Sequence, residues 1–246
     1  MKKRILFLQF RTDQSLPHEE MAVREMLEND TTDIIAINAI HEPLPLSLLD
    51  AIDGVLLGGS GELYMSDTTQ EKPWLPAVDQ LFDAILARDI PMLGLCFGFQ
   101  LIAAHEGARI ARDSAMQEIG AFPIEVLPAA KNDSLFSSVT SPFMAHLAHK
   151  ETNVDLPAHL IPLARSERVA CQAFRVEGKQ TWGLVFHAEL NKQRMSERYL
   201  LYLNHGRSDY EGGGKDDVLN TFCDTPEAEK ILKNFVALCG KETKKN

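Results

Sequence analysis

The amino-acid sequence predicts an α/β protein with a largely parallel central sheet that continues into a mixed or antiparallel extension. In the first half, short apolar runs alternate with helical patterns, which is typical of parallel strands covered by helices on both faces. In the second half, short candidate strands follow one another with few helical stretches between them. No linker rich in Pro, Gly or Ser separates the halves, so we predict one domain over residues 1–240 and a frayed tail over 241–246.

The first half contains four apolar runs with the length and composition of strands. They are Ile5–Phe10, Asp33–Ile37, Gly54–Leu57 and Pro91–Leu95. Two segments between them, His18–Glu28 and Leu75–Arg88, carry apolar residues at helical spacing. The residues expected to face the core from the first helix are Met21, Val23, Met26 and Leu27.

The second half contains five short candidate strands. They are Ala121–Leu127, Phe143–Ala148, Ile161–Ser166, Val169–Val176 and Thr181–Phe186. Two helices are predicted after them, Lys192–Asn204 and Thr225–Leu238. The segment between these helices, His205–Lys215, is rich in glycine and is predicted to be a surface loop, with a lid or a partner contact as the alternative.

Composition and charge argue against several classes of protein. The 246 residues are 45% hydrophobic and 24% charged, as in ordinary soluble globular proteins. The formal net charge of −10 argues against a nucleic-acid-binding surface. No stretch approaches the roughly 18 apolar residues of a membrane span, and the first apolar run is too short for a signal peptide. Four cysteines do not make a disulfide framework, so we expect a cytoplasmic protein with reduced thiols.

The segment Gly94–Gln100, with the sequence GLCFGFQ, lies where an apolar strand runs into a helical pattern over Gln100–Glu106. On such a tight turn, residues two positions either side of the central one are pressed against backbone, and Gly94 and Gly98 relieve that crowding. The positive end of the following helix favours a thiolate over a thiol. We therefore predict that Cys96 is a nucleophile; the alternative is a small buried hydrophobic residue.

A thiol nucleophile needs a base, and the base needs a group that orients it. Among the eight histidines, His187 ends a strand-like run and is followed two residues later by Glu189. Positions i and i+2 of extended backbone project to the same side, so the carboxylate can fix the imidazole tautomer while the other ring nitrogen faces the thiol. We predict that His187 is the base and Glu189 its orienting group. His105 is expected to be structural or exposed.

A glycine-rich turn, Gly58-Gly59-Ser60-Gly61, follows the predicted strand Gly54–Leu57 directly. In a parallel sheet, sites form at the carboxyl ends of the strands, and glycine lets backbone N–H groups approach a ligand closely. We predict that the N–H groups of Gly59 and Phe97 form an oxyanion hole. The turn is not a phosphate-binding loop, because no Gly-Lys-Ser/Thr follows it.

Together these motifs resemble the class I, or triad, glutamine amidotransferases. The family pattern is a glycine-rich strand end, a Gly-x-Cys-x-Gly-x-Gln turn and a late Gln-Phe-His-Pro-Glu, which appear here at 58–61, 94–100 and 185–189. Flanking segments around Glu118–Gly120, His149–Glu151 and Gln172–Phe174 are similar to the amidotransferase domain of GMP synthase and its free-standing relatives. The resemblance covers roughly residues 50 to 190.

The resemblance implies a flavodoxin-like, three-layer fold and a glutaminase reaction. Glutamine would be held by backbone at Gly58 and Gly59 and by the side chain of Gln100. Cys96 would form a γ-glutamyl thioester with release of ammonia, and water would then release glutamate. The resemblance implies no metal and no organic cofactor for this reaction.

Three departures from the family pattern affect what can be carried over. Ala188 replaces the usual proline, and Phe99 stands where many relatives have histidine. His149-Lys150-Glu151 replaces a more usual His-Gly-Asp, so no role is assigned to these three residues. About 57 residues follow Glu189, too few for a synthetase domain of typical size.

Three functions remain open on the sequence alone. The leading expectation is a glutamine amidotransferase or glutaminase that delivers ammonia to a separate synthetase or acceptor protein. The second is a γ-glutamyl hydrolase that acts on a small γ-glutamyl amine or peptide through the same triad. The third is a non-catalytic relative that serves as a binding or regulatory module.

Overall fold

The structure is a computed structural model that describes residues 2–204 and 214–240. The strands of the described chain are β1 Lys3–Gln9, β2 Thr32–Asn38, β3 Gly54–Leu57, β4 Met92–Leu95, β5 Arg109–Arg112, β6 Glu118–Val126, β7 Phe143–His149, β8 Glu151–Asp155, β9 Leu160–Arg165, β10 Ala173–Val176 and β11 Thr181–Leu184. The helices are α1 Ser15–Leu27, α2 Leu75–Arg88, α3 Phe97–His105, α4 Lys192–Asn204, α5 Lys215–Thr221 and α6 Pro226–Leu238. Most of the predicted 205–215 loop and the whole predicted 241–246 tail lie outside the described residues.

A nine-stranded sheet with the order β2-β1-β3-β4-β11-β10-β9-β6-β7 forms the centre of the fold. The strands from β2 to β11 in this order pair in parallel. From β11 to β7 every pair is antiparallel. The predicted parallel half and its antiparallel extension are therefore both confirmed. The carboxyl ends of β1, β3, β4 and β11 lie side by side, which is where ligand sites form in such sheets.

Helices cover the sheet in a three-layer, flavodoxin-like arrangement. Helix α1 contacts α4 and α6, whereas α2 contacts α3. The parallel strands β3, β4 and β11 are buried along their whole length, as expected when helices shield both faces. Within the described ranges, no helix combines the length and apolar character required to cross a membrane.

Helix α1 corrects one prediction of the sequence analysis. Its buried residues are Ser15, His18, Glu19, Ala22, Val23 and Leu27. Met21, which was expected to face the core, is 39% exposed. Val23 and Leu27 are buried as predicted, and Met26 packs against the core. His18 and Glu19 extend the inward face with polar side chains that are hydrogen-bonded to Arg198 and Gly59, so apolar periodicity missed this part of the face.

Several elements differ from the predicted ones. The strands β5 and β8 form a separate two-stranded sheet that was not predicted. Helix α5 was not predicted either, and its first residue, Lys215, had been assigned to the surface loop. The predicted strand Val169–Val176 is a strand only from Ala173, and the helix expected from Gln100 already begins at Phe97.

Candidate active site

Cys96 occupies the tight turn between β4 and α3. Its backbone has φ 51° and ψ −98°, a strained conformation for a residue with a side chain. A Cβ at Gly94 would lie 2.4 Å from the carbonyl oxygen of Gly98, and one at Gly98 would lie 2.6 Å from the Cβ of Leu57. Glycine is therefore required on both sides of the turn. The predicted crowding around Cys96 is present, and the residue is 5% exposed.

His187 and Glu189 meet just after the end of β11. Nδ1 of His187 lies 2.7 Å from Oε1 of Glu189, and both residues are buried. The backbone N–H of His187 donates to the carbonyl of His146 at 2.9 Å, which fixes the turn against β7. Because the carboxylate accepts from Nδ1–H, the other ring nitrogen, Nε2, is the one that can accept a proton from a nucleophile.

The imidazole of His187 also lies near Cys96, because a Cβ added at Gly59 would be 3.5 Å from Cε1 of His187 and 3.6 Å from the Cβ of Cys96. Burial disfavours a charged imidazolium, but the charge of Glu189 and the hydrogen bond and charge of Cys96 outweigh it, so the pKa of His187 is raised to about 10. Burial raises the pKa of Glu189, yet the charge of His187, its hydrogen bond and the charge of Arg198 leave that pKa below its usual value. The structure thus brings Cys96, His187 and Glu189 together in the predicted order.

A cavity at the carboxyl ends of the strands opens onto Cys96 and His187. Its lining includes Phe97 and Gln100, as predicted for an oxyanion donor and a substrate-binding residue. Phe97 is the first residue of α3, and no hydrogen bond from its N–H is found among the described residues. The side chain of Gln100 donates to the carbonyl of Glu151 at 3.3 Å.

The Gly58–Gly59 turn does not present free backbone groups to the cavity, and the roles predicted for it do not fit the conformation seen. The Gly58 N–H donates to Leu8 at 2.8 Å, and its carbonyl accepts from the Gly98 N–H at 3.0 Å. The Gly59 N–H donates to Oε1 of Glu19 at 2.9 Å, so it is not available to an oxyanion. Ser60 and Gly61 line the cavity instead.

Comparison with known proteins identifies the family. The family model "Glutamine amidotransferase class-I" matches residues 20–202. This chain belongs to the class I glutamine amidotransferases. Gly58, Cys96, His187 and Glu189 all fall inside the matched range.

The relatives of this amidotransferase with curated names include GMP synthases. The chain is 26% identical over 164 residues to the GMP synthase of Cytophaga hutchinsonii, a match that covers 67% of this chain and 31% of that one. It is 28% identical over 137 residues to a GMP synthase subunit from Methanosphaera stadtmanae, covering 56% of this chain and 65% of that one. The chain therefore spans about a third of the length of the first of these relatives and under two thirds of the second.

Solved structures share the fold of this amidotransferase. A glutamine amidotransferase from Thermotoga maritima superposes with a TM-score of 0.73 at 24% identity, over 96% of this chain and 99% of that one. A glutamine amidotransferase from Methylobacillus flagellatus superposes with a TM-score of 0.71 at 19% identity, over 100% and 99% of the two chains. At this level of identity the likeness shows the fold alone.

The cavity of this amidotransferase has further walls that the sequence analysis did not assign. They are formed by Leu63, Tyr64, Ala148, His149, Lys150, Glu151 and Tyr202. Glu151 ties the loop after β3 to β8, because its carboxylate accepts from the N–H groups of Met65 at 2.8 Å and Ser66 at 3.0 Å and from the Ser66 hydroxyl. The departure from His-Gly-Asp at 149–151 was the one signal for this wall. Tyr202 carried none, since it lies in an ordinary helical pattern.

Proposed function

We propose that this amidotransferase hydrolyses the side-chain amide of L-glutamine through a γ-glutamyl thioester on Cys96. The observation that carries the proposal is that Cys96, His187 and Gln100 line one cavity, while Nδ1 of His187 is held by Glu189 at 2.7 Å. A nucleophile, a base and an orienting carboxylate in this order are the parts that acyl transfer requires.

The first half-reaction forms the thioester. With its pKa raised to about 10, His187 already holds the proton of the Cys96 thiol, and the sulfur attacks the side-chain carbonyl carbon of glutamine as a thiolate. The tetrahedral intermediate places its negative charge on the former carbonyl oxygen, to which the Phe97 N–H donates. The C–N bond then breaks as His187 passes its proton to the leaving nitrogen, and ammonia is released.

The second half-reaction returns the enzyme to its starting state. His187 takes a proton from a water molecule, whose oxygen attacks the thioester carbonyl. The C–S bond breaks, glutamate leaves, and the proton stays on the imidazole of His187 beside the freed thiolate of Cys96, as at the start. Glu189 stays ionised throughout and stabilises the imidazolium that forms in each half.

The ammonia is proposed to serve a separate acceptor protein. The relative from Methanosphaera stadtmanae is named as a subunit of GMP synthase, and the match to the GMP synthase of Cytophaga hutchinsonii covers 31% of that chain. These names support a division of labour between an ammonia-producing chain and an acceptor enzyme.

The test is intact-protein mass spectrometry after incubation with glutamine and with a panel of γ-glutamyl amines and peptides. We expect a transient γ-glutamyl adduct at Cys96 with glutamine, together with equimolar glutamate and ammonia, and neither in Cys96→Ala. Turnover of γ-glutamyl amines with none of glutamine would replace this proposal with the γ-glutamyl hydrolase. Absence of any adduct or product with every compound would overturn the enzymatic function.

A further inference from the structure

The two-stranded sheet β5–β8 contacts the loop that forms one wall of the cavity. Leu63 and Tyr64 of this loop line the cavity together with Cys96. Residues 58–73 contain no helix or strand, so the position of the loop depends on its contacts with other elements. We refer to residues 63–66 as the wall segment.

Glu151, the first residue of β8, fixes the end of the wall segment. The residue is 1% exposed. Its Oε2 accepts from the N–H of Met65 at 2.8 Å, and its Oε1 accepts from the N–H of Ser66 at 3.0 Å and from the Ser66 hydroxyl. Hydrogen bonds to a carboxylate are stronger than those to a neutral acceptor. Because both carboxylate oxygens are used in this way, the wall segment itself compensates the buried charge of Glu151.

Arg112 contacts the wall segment one residue earlier. It is the cross-strand neighbour of Glu151 in the β5–β8 pair, so the two side chains leave the same face of the small sheet. The guanidinium of Arg112 lies 5.1 Å from the centroid of the Tyr64 ring, which is a cation–π contact. One cross-strand pair therefore contacts three consecutive residues of the wall segment, Tyr64, Met65 and Ser66.

Strand β8 also joins the wall segment to the helix of the nucleophile. The side chain of Gln100, on α3, donates to the backbone carbonyl of Glu151 at 3.3 Å. Cys96 and His187 are 5% and 4% exposed, and both line the cavity, so a substrate reaches the sulfur through it. The position of the wall segment therefore affects how large a molecule can reach Cys96.

We propose that Arg112 and Glu151 are positioning residues that set the size of the substrate. They fix the wall segment where it admits glutamine to Cys96 and excludes γ-glutamyl compounds that carry a large additional group. Such a group would have to displace a wall whose Leu63 and Met65 pack against the hydrophobic core. The inference rests on the proposed glutaminase function and narrows its substrate class to small side-chain amides.

The first experiment compares substrates of different size in the full chain. Glutamine is compared with γ-glutamyl-p-nitroanilide, which is extended at the amide nitrogen, and with Nα-benzoylglutamine, which is extended at the other end. Arg112→Ala and Glu151→Ala each remove one set of contacts to the wall segment, and Glu151→Ala keeps the backbone carbonyl that accepts from Gln100. Arg109→Ala is the matched control, since Arg109 also lies on β5 but pairs with Asp155 at 2.7 Å.

The kcat/KM of at least one extended compound, relative to that of glutamine, should rise by at least about tenfold in Glu151→Ala, by less in Arg112→Ala, and stay within about threefold in Arg109→Ala. A merely structural role would lower the turnover of all three substrates together. Unchanged ratios in the folded variants would overturn the proposal, and so would an equal rise in Arg109→Ala. If Glu151→Ala fails to fold, the same outcomes are read from Arg112→Ala, because Arg112 is exposed.

The second experiment separates the wall segment from the proposed function by measuring access to Cys96 without turnover. Iodoacetamide and the larger N-phenylmaleimide both alkylate thiols, and mass spectrometry assigns the modification among the four cysteines. Cys223, which is partly exposed and lies between α5 and α6, is the reference for the reactivity of each reagent. At Cys96 the rate for N-phenylmaleimide relative to iodoacetamide should rise by at least about tenfold in Glu151→Ala, with no change at Cys223.

The two experiments distinguish failure of the wall segment from failure of the glutaminase. A rise in the alkylation ratio at Cys96 without turnover of any substrate would refute the glutaminase function and leave the wall segment as the barrier to large molecules. Glutamine turnover in the wild type, with substrate and alkylation ratios that are the same in every variant, would refute the wall segment alone.

Discussion

Nδ1 of His187 lies 2.7 Å from Oε1 of Glu189, and the two residues meet in a turn that follows β11 rather than in the strand itself. The pair therefore owes its geometry to the turn and to the hydrogen bond from the His187 N–H to His146. Extended backbone, from which the sequence analysis argued, was not needed for the pairing. The carboxylate fixes the imidazole so that Nε2 is left to exchange protons with Cys96.

Replacement of Cys96, His187 or Glu189 by alanine is expected to lower turnover, by an amount that depends on the residue. Cys96→Ala and His187→Ala should each lower kcat by on the order of 10⁴–10⁶, because the nucleophile and its base act as a unit. Glu189→Ala should cost about 10²-fold less than either, since the imidazole can still accept a proton when it is poorly oriented. Ammonia release under saturating glutamine measures all three.

As a control, near-ultraviolet circular dichroism measures whether each variant is folded. Glu189→Ala leaves the buried cation Arg198 without the carboxylate that faces it, and His187→Ala leaves Glu189 without its partner, so some loss of stability is expected in both variants. A Glu189→Ala protein that is folded and as inactive as Cys96→Ala would contradict the orienting role of Glu189.

Gly98→Ala is expected to destabilise the protein by packing rather than by backbone strain. The added Cβ would lie 2.6 Å from the Cβ of Leu57 and 2.8 Å from its carbonyl oxygen, contacts that force α3 away from β3. The cost should reach about 3 kcal/mol of unfolding free energy or more. Urea denaturation of the purified variant measures it.

Gly107→Ala is the matched control. Its φ is +88° and no atom lies within 4 Å of the added Cβ, so the substitution tests backbone strain without overpacking. Its expected cost is roughly 1–2 kcal/mol. Equal losses in the two variants would show that crowding at the Cys96 turn is not what requires glycine at 98.

The sequence predicted well those elements that are determined by interactions between residues close together along the chain. The two glycines around Cys96 reflect backbone crowding within a few residues, and the buried strands of the parallel half appear as continuous apolar runs. His187 could be selected as the candidate base because Glu189 lies two positions away. Each of these inferences needed only neighbours along the chain.

The parts that were missed depend on contacts between distant segments. The burial of Glu19 was not predicted, because nothing near it in sequence shows that Arg11 and the Gly59 N–H would compensate its charge. The hydrogen bond from the Gly59 N–H to Glu19 was missed for the same reason. Tyr202 enters the cavity from α4, about 100 residues from Cys96 along the chain. Such pairings are set by topology and cannot be deduced from periodicity.

The protonation of His187 is expected to depend on Cys96. Contact with the thiol is one of the causes that raise the pKa of His187 to about 10, so Cys96→Ala should lower this pKa while Glu189 continues to raise it. The imidazole resonances of His187 in a two-dimensional NMR titration report the change. An identical midpoint in both proteins would show that Cys96 and His187 are not coupled.

The raised pKa of His187 also makes the free energy of unfolding depend on pH, and it should fall as the pH rises. An imidazole that binds its proton more tightly in the folded state contributes stability that is complete below about pH 6.5, the unfolded value, and is lost as the pH rises toward 10. His187→Ala should remove this slope between pH 6.5 and 10. A variant that loses stability over this range as steeply as the wild type would contradict the assignment.

His18 should make the protein sensitive to mild acid. Burial and then the charge of Arg198 lower the pKa of His18 to about 4, so the neutral ring accepts from Nε of Arg198 at 3.0 Å and Nε2 faces Glu197 at 3.3 Å. The unfolded chain takes up a proton near pH 6.5, whereas the folded chain does so only near pH 4. Stability contributed by the neutral ring is therefore present above pH 6.5 and is lost as the pH falls toward 4, by on the order of 2 kcal/mol.

His18→Gln keeps a hydrogen-bond acceptor and donor without a titratable ring. Urea unfolding at intervals between pH 4 and 7 should show a shallower slope in this variant, and parallel curves for the two proteins would exclude His18 as the acid-sensitive group.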